Sequence, residues 1–434
     1  MNHVVGEESG LPNAARFVKD FLRGSTYSFS TAIADLIDNS IEAKATEINL
    51  IVDLQDFQVI LLDNGVGMSD STHHESMKVA AETREYSISD LGKYGSGMKA
   101  ASLSQAKRLI VATHTSPKEK ILVRCLDVDH VMATNDWARV TQVLSETAIP
   151  QAARDFLVAN SGTAVIWQNL DRVFGDEDWS SEKKKQELIS LSLQAEEHIS
   201  LVFHKFLTGH VKGYSKIKIT FNGNPLIPWD PFALDEKTIQ VAQKDVVIGS
   251  AGGHAKVTTF LLPGEKEWTS QEAKKKSSGP KNFTNAQGFY VYRNGRLIIG
   301  GGWQRFRSIE PHVSLAKISL EFDSSVDHIL KVPVDKSSIT IPQVTRTLID
   351  PLVKEICRMA DERYRKQKQF ENTGLPKLPG RTPAKAVVTR RLTASALVEA
   401  IEKVAKSQAL EVEFEAIKTA IRNESPSVAD EVGW

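Results

Sequence analysis

Asp35 and Asn39 lie four residues apart, a spacing that places both side chains on one face of a helix. The amide oxygen of Asn39, with phosphate oxygens and water, fits the octahedral coordination that Mg²⁺ prefers. A carboxylate one turn away can orient or deprotonate a water molecule. We therefore predict that Asn39 is a magnesium ligand and Asp35 a general base, although two polar residues on a helix are by themselves typical of a solvated surface.

A second group of residues, from Asp63 to Met68, places a carboxylate and two glycines directly after an apolar segment. A lone carboxylate there needs a partner, and the amino group of adenine can be one. Gly65 and Gly67 permit close backbone approach to a flat base, whereas Asp-Asn-Gly alone is typical of an ordinary turn. We predict an adenine pocket formed by Asp63, Gly65, Gly67 and Met68.

A third group is a glycine-rich loop that opens a helix. Free N–H groups at a helix start, aided by its dipole, bind phosphates, although such a loop in isolation is weak support for this function. Lys99 can add charge or equally face solvent, and Thr163 offers the base a hydroxyl, directly or through water. The predicted phosphate-binding residues are Gly92, Lys93, Tyr94, Gly95, Ser96, Gly97, Met98 and Lys99.

The composition limits the class of protein. The chain has 434 residues, 41% of them hydrophobic, which suffices for two or three domains. Basic and acidic residues both number 54, so net charge alone demands no nucleic acid or membrane partner. Two cysteines exclude a disulfide framework and a cysteine-built zinc module. With no signal peptide or long apolar run, we expect a cytoplasmic protein, nuclear if eukaryotic.

The hydropathy pattern places the three groups on mixed helices and strands. It predicts an α+β sandwich with helices layered on one sheet. Helices are predicted at 31–45, 97–107, 180–207, 341–368 and 394–421, and strands at 47–52, 58–62, 109–113 and 162–167. Asn222-Gly223 and Asn294-Gly295 predict hairpins. The polar segment 264–287, which includes Lys274–Lys276, predicts a solvated loop.

The ordered set resembles the GHKL ATPases, a superfamily that includes gyrase B subunits, heat-shock chaperones, sensor histidine kinases and MutL. Within it, the chain most resembles the MORC family. The resemblance covers roughly residues 20 to 345 and is more specific in the first half. The segments that carry it are 32–39, 63–68, 91–99, 162–170 and 288–298.

This resemblance implies an architecture. It implies a Bergerat-type α/β sandwich ATPase domain at 1–175, connecting helices at 176–210 and a ribosomal S5-like transducer domain at 211–370. A basic linker at 371–393 and a helical tail at 394–434 would follow. The resemblance also implies that 69–90 forms a lid over bound ATP.

The resemblance further implies a role for each matching residue. Asn39 would bind magnesium, Asp63 and Thr163 would bind adenine, and the loop ending at Lys99 would bind the phosphates of ATP. The family's transducer lysine contacts the terminal phosphate, and Lys336 is the first candidate and Lys331 the second.

Asp35 departs from the family, which has glutamate at this position. Its carboxylate is set back by roughly 1.5 Å, and misplacement of about 1 Å can slow a reaction by about 100-fold. We therefore expect slow hydrolysis, or hydrolysis through a second water.

By analogy, ATP would close a homodimer that acts as a clamp on DNA in compaction, silencing or genome defence. Two alternatives remain: a chaperone-like clamp on protein clients, and a nucleotide-gated scaffold whose residues 394–421 bind a partner. No membrane partner is expected. The candidate DNA contacts are Lys274–Lys276 and the basic residues Arg363, Arg365, Lys366, Lys368, Lys377, Arg381, Lys385, Arg390 and Arg391.

Overall fold

The computed structural model describes residues 12–24, 27–78, 91, 97–175, 179–249, 252–333 and 338–373, with 415, 418, 419 and 422. The chain divides into two units, Met1–Glu371 and Asn372–Trp434. The four isolated residues are helical and belong to the second unit. Residues 371–373 of the predicted linker end a helix, and the remainder of the linker and tail lies outside the described residues.

The strands of the first unit form two sheets. The first sheet has the strands β1 (Glu47–Asp53), β2 (Gln58–Asp63), β3 (Arg108–His114), β4 (Leu122–Asp127), β5 (Thr141–Leu144), β6 (Gly162–Gln168), β7 (Lys218–Phe221) and β8 (Asn224–Pro225). Their order is β5-β4-β3-β6-β2-β1-β7-β8, and only the β1–β7 pair is parallel. The second sheet has the strands β9 (Ile239–Ile248), β10 (Gly253–Leu261), β11 (Gly288–Arg293), β12 (Arg296–Gly300) and β13 (Ala316–Phe322), in the order β12-β11-β13-β10-β9.

The helices of the described residues surround these sheets. They are α1 (Ala14–Arg16), α2 (Phe29–Glu42), α3 (Asp70–Met77), α4 (Gly97–Leu103), α5 (Val128–Thr134), α6 (Gln151–Ala159), α7 (Asp171–Phe174), α8 (Ser181–Val202), α9 (His204–Thr208), α10 (Gln271–Ser278), α11 (Asp327–Leu330) and α12 (Gln343–Thr373). A π-helical segment, Phe17–Leu22, continues α1, and short 3-10 turns lie at Trp137–Arg139, Glu146–Ala148, Pro311–Val313 and Ser324–Val326. No helix in these ranges is both long enough and apolar enough to cross a membrane.

The first sheet is covered on both faces, which explains why its central strands are apolar throughout. On β3, Leu109 and Val111 point into the core shared with α2 and α8, whereas Ile110 and Ala112 point into a core shared with α6. The sandwich predicted from the hydropathy pattern is therefore present, and its helices lie on both faces of the sheet.

Helix α2 begins at a capping box. The Ser28 hydroxyl accepts the Thr31 backbone N–H, while the Thr31 hydroxyl accepts the Ser28 N–H. Most of the helix is buried, and Asn39 is an exposed residue near its end. The predicted helix at 31–45 is thus confirmed with slightly earlier bounds.

The predicted domain boundary requires a correction. The resemblance implies a second domain that begins at residue 211, but β7 extends the first sheet by pairing in parallel with β1. Ile219, Phe221 and Leu226 lie in the same apolar core as α2. The chain therefore leaves the first sheet only after residue 226, because these side chains are buried against it.

The segment 264–287 also differs from the prediction. Residues Gln271–Ser278 form α10 rather than a loop, with Ser270 as the N-cap that accepts the Ala273 N–H. Both predicted hairpins are confirmed: Asn222-Gly223 joins β7 to β8, and Asn294-Gly295 joins β11 to β12. In each turn both residues have positive φ, as a type I′ turn requires.

Candidate nucleotide-binding site

The predicted base, Asp35, lies inside the protein on α2 and is 4% exposed. The Tyr27 hydroxyl donates a hydrogen bond of 2.6 Å to its Oδ2. Nη2 of Arg296, from β12, lies 3.8 Å from its Oδ1. Gly97, the first residue of α4, is close enough that a Cβ there would lie 3.4 Å from Oδ2. Asp35 therefore lies between the start of α4 and the second sheet.

Asn39, one turn further along α2, is exposed and unlike Asp35 is accessible to a ligand. No group of three or more His, Cys, Asp or Glu side chains converges anywhere in the described part of the chain. An ion held by Asn39 would therefore take most of its ligands from phosphate and water. This donor set fits Mg²⁺, which usually retains several waters and shares phosphate oxygens.

The carboxylate of Asp63 is buried at the end of β2. The Ser40 hydroxyl donates to its Oδ2 over 3.0 Å, and the Gly65 N–H donates to its Oδ1 over 2.9 Å. Burial raises the pKa of Asp63 to about 6, while the bonds from Gly65, Ser40 and Thr163 act in the opposite direction. A carboxylate has about four acceptor positions, so Asp63 can accept a further hydrogen bond from the amino group of adenine.

Thr163 lies opposite Asp63 in the β2–β6 pair, as an adenine pocket shared by both residues requires. The Thr113 hydroxyl donates to the Gly162 carbonyl over 2.8 Å and accepts the Met68 N–H over 3.0 Å. The Thr113 and Thr163 hydroxyls are 3.1 Å apart, and Thr163 is the donor because the Thr113 proton is already used. Met68, Thr113 and Thr163 thus form one hydrogen-bonded group beside Asp63.

The glycines of the 63–68 turn are required by protein contacts. Gly67 has a φ of +65°, and a Cβ there would lie 1.9 Å from the His114 carbonyl oxygen. A Cβ on Gly65 would lie 2.7 Å from the Ala43 carbonyl oxygen. The sequence predicts that these glycines admit a flat base, but the atoms that exclude a side chain at both positions belong to the protein itself: backbone at Gly67, and backbone with the Ala43 and Asp63 side chains at Gly65. They hold the turn against α2 and the end of β3.

Lys99 does not face solvent. It is 1% exposed, and its Nζ donates a 2.6 Å hydrogen bond to the carbonyl of Ser76 at the end of α3. Burial lowers the pKa of its ammonium group to about 8. Met98 is half-buried and packs against the apolar core. The predicted phosphate residues Gly92, Lys93, Tyr94, Gly95 and Ser96 lie outside the described residues.

Part of the predicted lid can be placed. Residues 70–77 form α3, whose Asp70 pairs with Arg124 on β4 at 2.6 Å, while 79–90 lie outside the described residues. Lys336 also lies outside them, and Lys331 is an exposed residue with a φ of 52° at the end of α11. The role of a lysine at the terminal phosphate therefore stays a prediction.

Four further residues contact this site and were not predicted from the sequence. Tyr27 and Arg296 face Asp35, Ser40 binds Asp63, and Thr113 links Met68 to Thr163. Ser40 follows Asn39 directly, but no spacing rule distinguishes it from an ordinary helical serine. Tyr27 lies eight residues before Asp35, whereas Arg296 and Thr113 reach the site from distant strands, so that no spacing pattern predicts their contacts.

Comparison with known proteins adds one family. Residues 27–163 match the model of the histidine kinase-, DNA gyrase B-, and HSP90-like ATPase family. The search of curated proteins found no match. The matched segment begins at Tyr27, ends at Thr163 and includes every predicted nucleotide residue except the candidate lysines Lys336 and Lys331. This match supports the assignment of residues 27–163 to a GHKL-type ATPase domain, which implies ATP binding and hydrolysis.

Proposed function

We propose that the protein binds Mg-ATP between α2 and the β2–β6 strand ends and hydrolyses it slowly. The observation that carries this proposal is the buried Asp63 carboxylate, held by Ser40 and Gly65 beside Thr163, within the segment that matches an ATPase family. Adenine offers an N–H donor that a desolvated carboxylate requires.

In this proposal two side chains of α2 have different roles. Asn39 holds the metal from its exposed position, and Asp35 orients the attacking water. Lys99 supplies charge for the phosphates from the first turn of α4. Bound magnesium would neutralise the negative charge of the phosphates and orient them. The shorter carboxylate of Asp35 is the reason we expect slow turnover.

The finer proposal is a MORC-like clamp, in which ATP binding closes a homodimer and hydrolysis reopens it. The second sheet then serves as the transducer domain, with Lys336 at the terminal phosphate. Coupling requires that nucleotide bind the closed state more tightly than the open state. We propose DNA as the client, with contacts from α10 and from the basic residues of and beyond α12.

The ion pairs of α10 limit how strongly its lysines can bind DNA. Its three lysines are each paired with a carboxylate: Lys274 with Glu265, Lys275 with Glu197 at 4.0 Å, and Lys276 with Glu272 at 2.7 Å. Phosphates would have to displace these partners. The proposal therefore predicts weak binding that falls steeply with salt concentration.

The same pairing favours a second candidate, a clamp that acts on protein clients. A surface whose lysines are already neutralised attracts DNA less than an unpaired one. In this alternative, unfolded protein stimulates ATP turnover and DNA does not. The scaffold alternative involves no hydrolysis, and it fails if the purified protein turns over ATP and Asp35→Ala abolishes this turnover.

One set of measurements tests the proposed function. Calorimetry with Mg-ATP is expected to show binding by the wild type and by Asn224→Ala, an exposed asparagine on β8, but not by Asn39→Ala. Sedimentation with a non-hydrolysable ATP analogue is expected to show dimers that Asn39→Ala does not form. A DNA mobility shift then compares retention with and without the analogue.

The outcomes test ATP binding separately from the nucleotide-gated clamp. Wild-type protein that is folded but binds no Mg-ATP would remove the ATPase. Dimers and DNA retention that do not depend on nucleotide would remove only the clamp.

A further inference from the structure

We infer that Arg296 is a positioning residue for ATP hydrolysis: it extends from the second sheet, binds Asp38 on α2 and supplies the positive charge beside Asp35. The inference rests on the proposed function. Arg296 begins β12, directly after the Asn294-Gly295 turn. It thus belongs to an element outside the segment that matches the ATPase family, which ends at residue 163.

The contacts of Arg296 are made with two carboxylates on one face of α2. Its Nε lies 2.9 Å from Oδ1 and 2.8 Å from Oδ2 of Asp38, and its Nη2 lies 3.8 Å from Oδ1 of Asp35. The side chains of all three residues are at most 6% exposed. The guanidinium is therefore placed between two buried acids in surroundings that screen charge poorly.

Electrostatics explains why the position of α2 depends on this arginine. Asp35 and Asp38 are three residues apart, so they are neighbours on the helix surface and repel each other when ionised. Arginine is always charged and its planar fork can bind more than one acceptor at fixed angles. A lysine preserves the charge but not this geometry. The guanidinium thus fixes Asp38 by hydrogen bonding, and at 3.8 Å it balances the charge of Asp35 on the same face of the helix.

The hairpin that carries Arg296 is itself held on its other side. Arg293, at the end of β11, binds both carboxylate oxygens of Asp327 over 2.8–3.0 Å and donates from Nη1 to the Leu91 carbonyl over 2.8 Å. Leu91 immediately precedes the predicted phosphate loop. A Cβ on Gly295 would lie 2.7 Å from Val211, so the turn is also closely packed.

These contacts make the hairpin a connection between the second sheet and two parts of the proposed site. A shift of the second sheet moves Arg296 against α2 and Arg293 against the residue before the phosphate loop. Because a misplacement of about 1 Å can slow a reaction about 100-fold, loss of the fork is expected to affect hydrolysis more than binding. The proposed adenine and phosphate contacts on β2, β6 and α4 do not involve Arg296.

The test compares Arg296→Lys with wild type and with Arg346→Lys. Arg346 is a half-buried arginine of α12 that donates to the Gln304 carbonyl over 2.8 Å and packs on Phe306, away from α2. We expect Arg296→Lys to bind Mg-ATP within about 3-fold of wild type but to have a kcat about 10-fold lower, with KM unchanged. Arg346→Lys is expected to stay within about 2-fold on each quantity.

A second variant keeps the test decisive if the first folds poorly. The double variant Arg296→Met/Asp38→Asn removes both charges of the buried pair, which is better tolerated than removing one. The double variant is expected to bind Mg-ATP but to have a lower kcat than Arg296→Lys. The kcat of Arg296→Lys should therefore lie between those of the double variant and the wild type. Circular dichroism and thermal unfolding confirm that each variant is folded.

Two results would overturn the inference alone. One is a kcat within about 2-fold of wild type in a folded variant that lacks the fork. The other is a parallel loss of ATP affinity and kcat, which indicates a general structural role. If instead the wild type binds no Mg-ATP, the proposed function fails and the inference fails with it.

Discussion

The hydroxyl of Ser40 donates to Oδ2 of Asp63 over 3.0 Å and thereby ties α2 to the end of β2. The same helix carries Asp35 and Asn39 on neighbouring turns. Helix α2 thus contacts the carboxylate that is proposed to bind adenine. It also bears the proposed metal ligand and the proposed general base. A movement of α2 would change all three together, and the following predictions separate their contributions.

Replacement of Asp63 by asparagine is expected to weaken ATP binding and to raise stability at neutral pH. Loss of a hydrogen bond to a charged group costs about 1.5–3 kcal/mol, or about 10- to 100-fold in affinity. The folded-state pKa of about 6 exceeds the ordinary 3.8. Ionisation of Asp63 therefore lowers the free energy of unfolding of the wild type least below pH 3.8 and most above pH 6. Between pH 5 and 8 the stability of Asp63→Asn relative to wild type should therefore rise by about 1 kcal/mol.

Urea unfolding at the two pH values, with calorimetry of ATP binding, measures both effects. Asp56→Asn, an exposed carboxylate on the preceding turn, is the control and should change neither quantity. A stability difference that does not vary with pH would contradict the burial of an ionised Asp63.

Gly67→Ala is expected to destabilise the protein by more than about 4 kcal/mol. The new Cβ would overlap the His114 carbonyl oxygen at 1.9 Å, and the φ of +65° is unfavourable for alanine. Gly213→Ala isolates the second effect, because Gly213 has a φ of +83° with no atom within 4 Å of a Cβ. Its expected cost is about 1 kcal/mol. Equal midpoints of unfolding for the two variants would show that the overlap does not matter.

Lys99→Met tests the buried ammonium group. The folded-state pKa of about 8 is below the ordinary 10.5, so wild type bears the full cost of the buried charge below pH 8 and loses it as the pH rises. The stability of wild type relative to Lys99→Met should therefore increase by about 2 kcal/mol between pH 8 and 10. Denaturant unfolding of nucleotide-free protein measures this change. Lys118→Met, at an exposed lysine, should show no such trend.

Tyr27→Phe removes the hydroxyl that donates to Asp35 over 2.6 Å. If this hydrogen bond orients Asp35 as the general base, kcat should fall about 10-fold while ATP affinity and thermal stability stay close to wild type. Tyr364→Phe, on α12, is the control variant. Unchanged turnover in Tyr27→Phe would mean that Asp35 is oriented by its other neighbours.

Local sequence patterns predicted the central part of the first sheet well. Strands β2, β3 and β6 are buried on both faces, which makes them apolar runs with clear ends, whereas β1 alternates between buried and half-buried residues. Helix α2 has a regular apolar spacing and a capping serine. The predicted adenine residues Asp63 and Thr163 adjoin in the structure because their strands pair directly.

The long-range features could not be predicted in this way. Arg296 meets Asp38 across 258 residues of sequence, and no local pattern reports such a contact. Strand β7 joins the first sheet because its apolar side chains are buried there, whereas its sequence is compatible with either sheet. Helix α10 was missed because its residues are nearly all polar, although Ser270 and Gly279 mark its two ends.

The late return of β7 to β1 has a consequence for how this protein can be divided. The family match ends at residue 163, yet Phe203, Ile219 and Leu226 pack in the same core as Ile33 and Ile37 of α2. A polypeptide truncated after residue 175 would have an open edge on β1 and bare apolar side chains beneath α2, the proposed ATP-binding helix. The shortest fragment able to shield that helix extends at least fifty residues past the homologous segment.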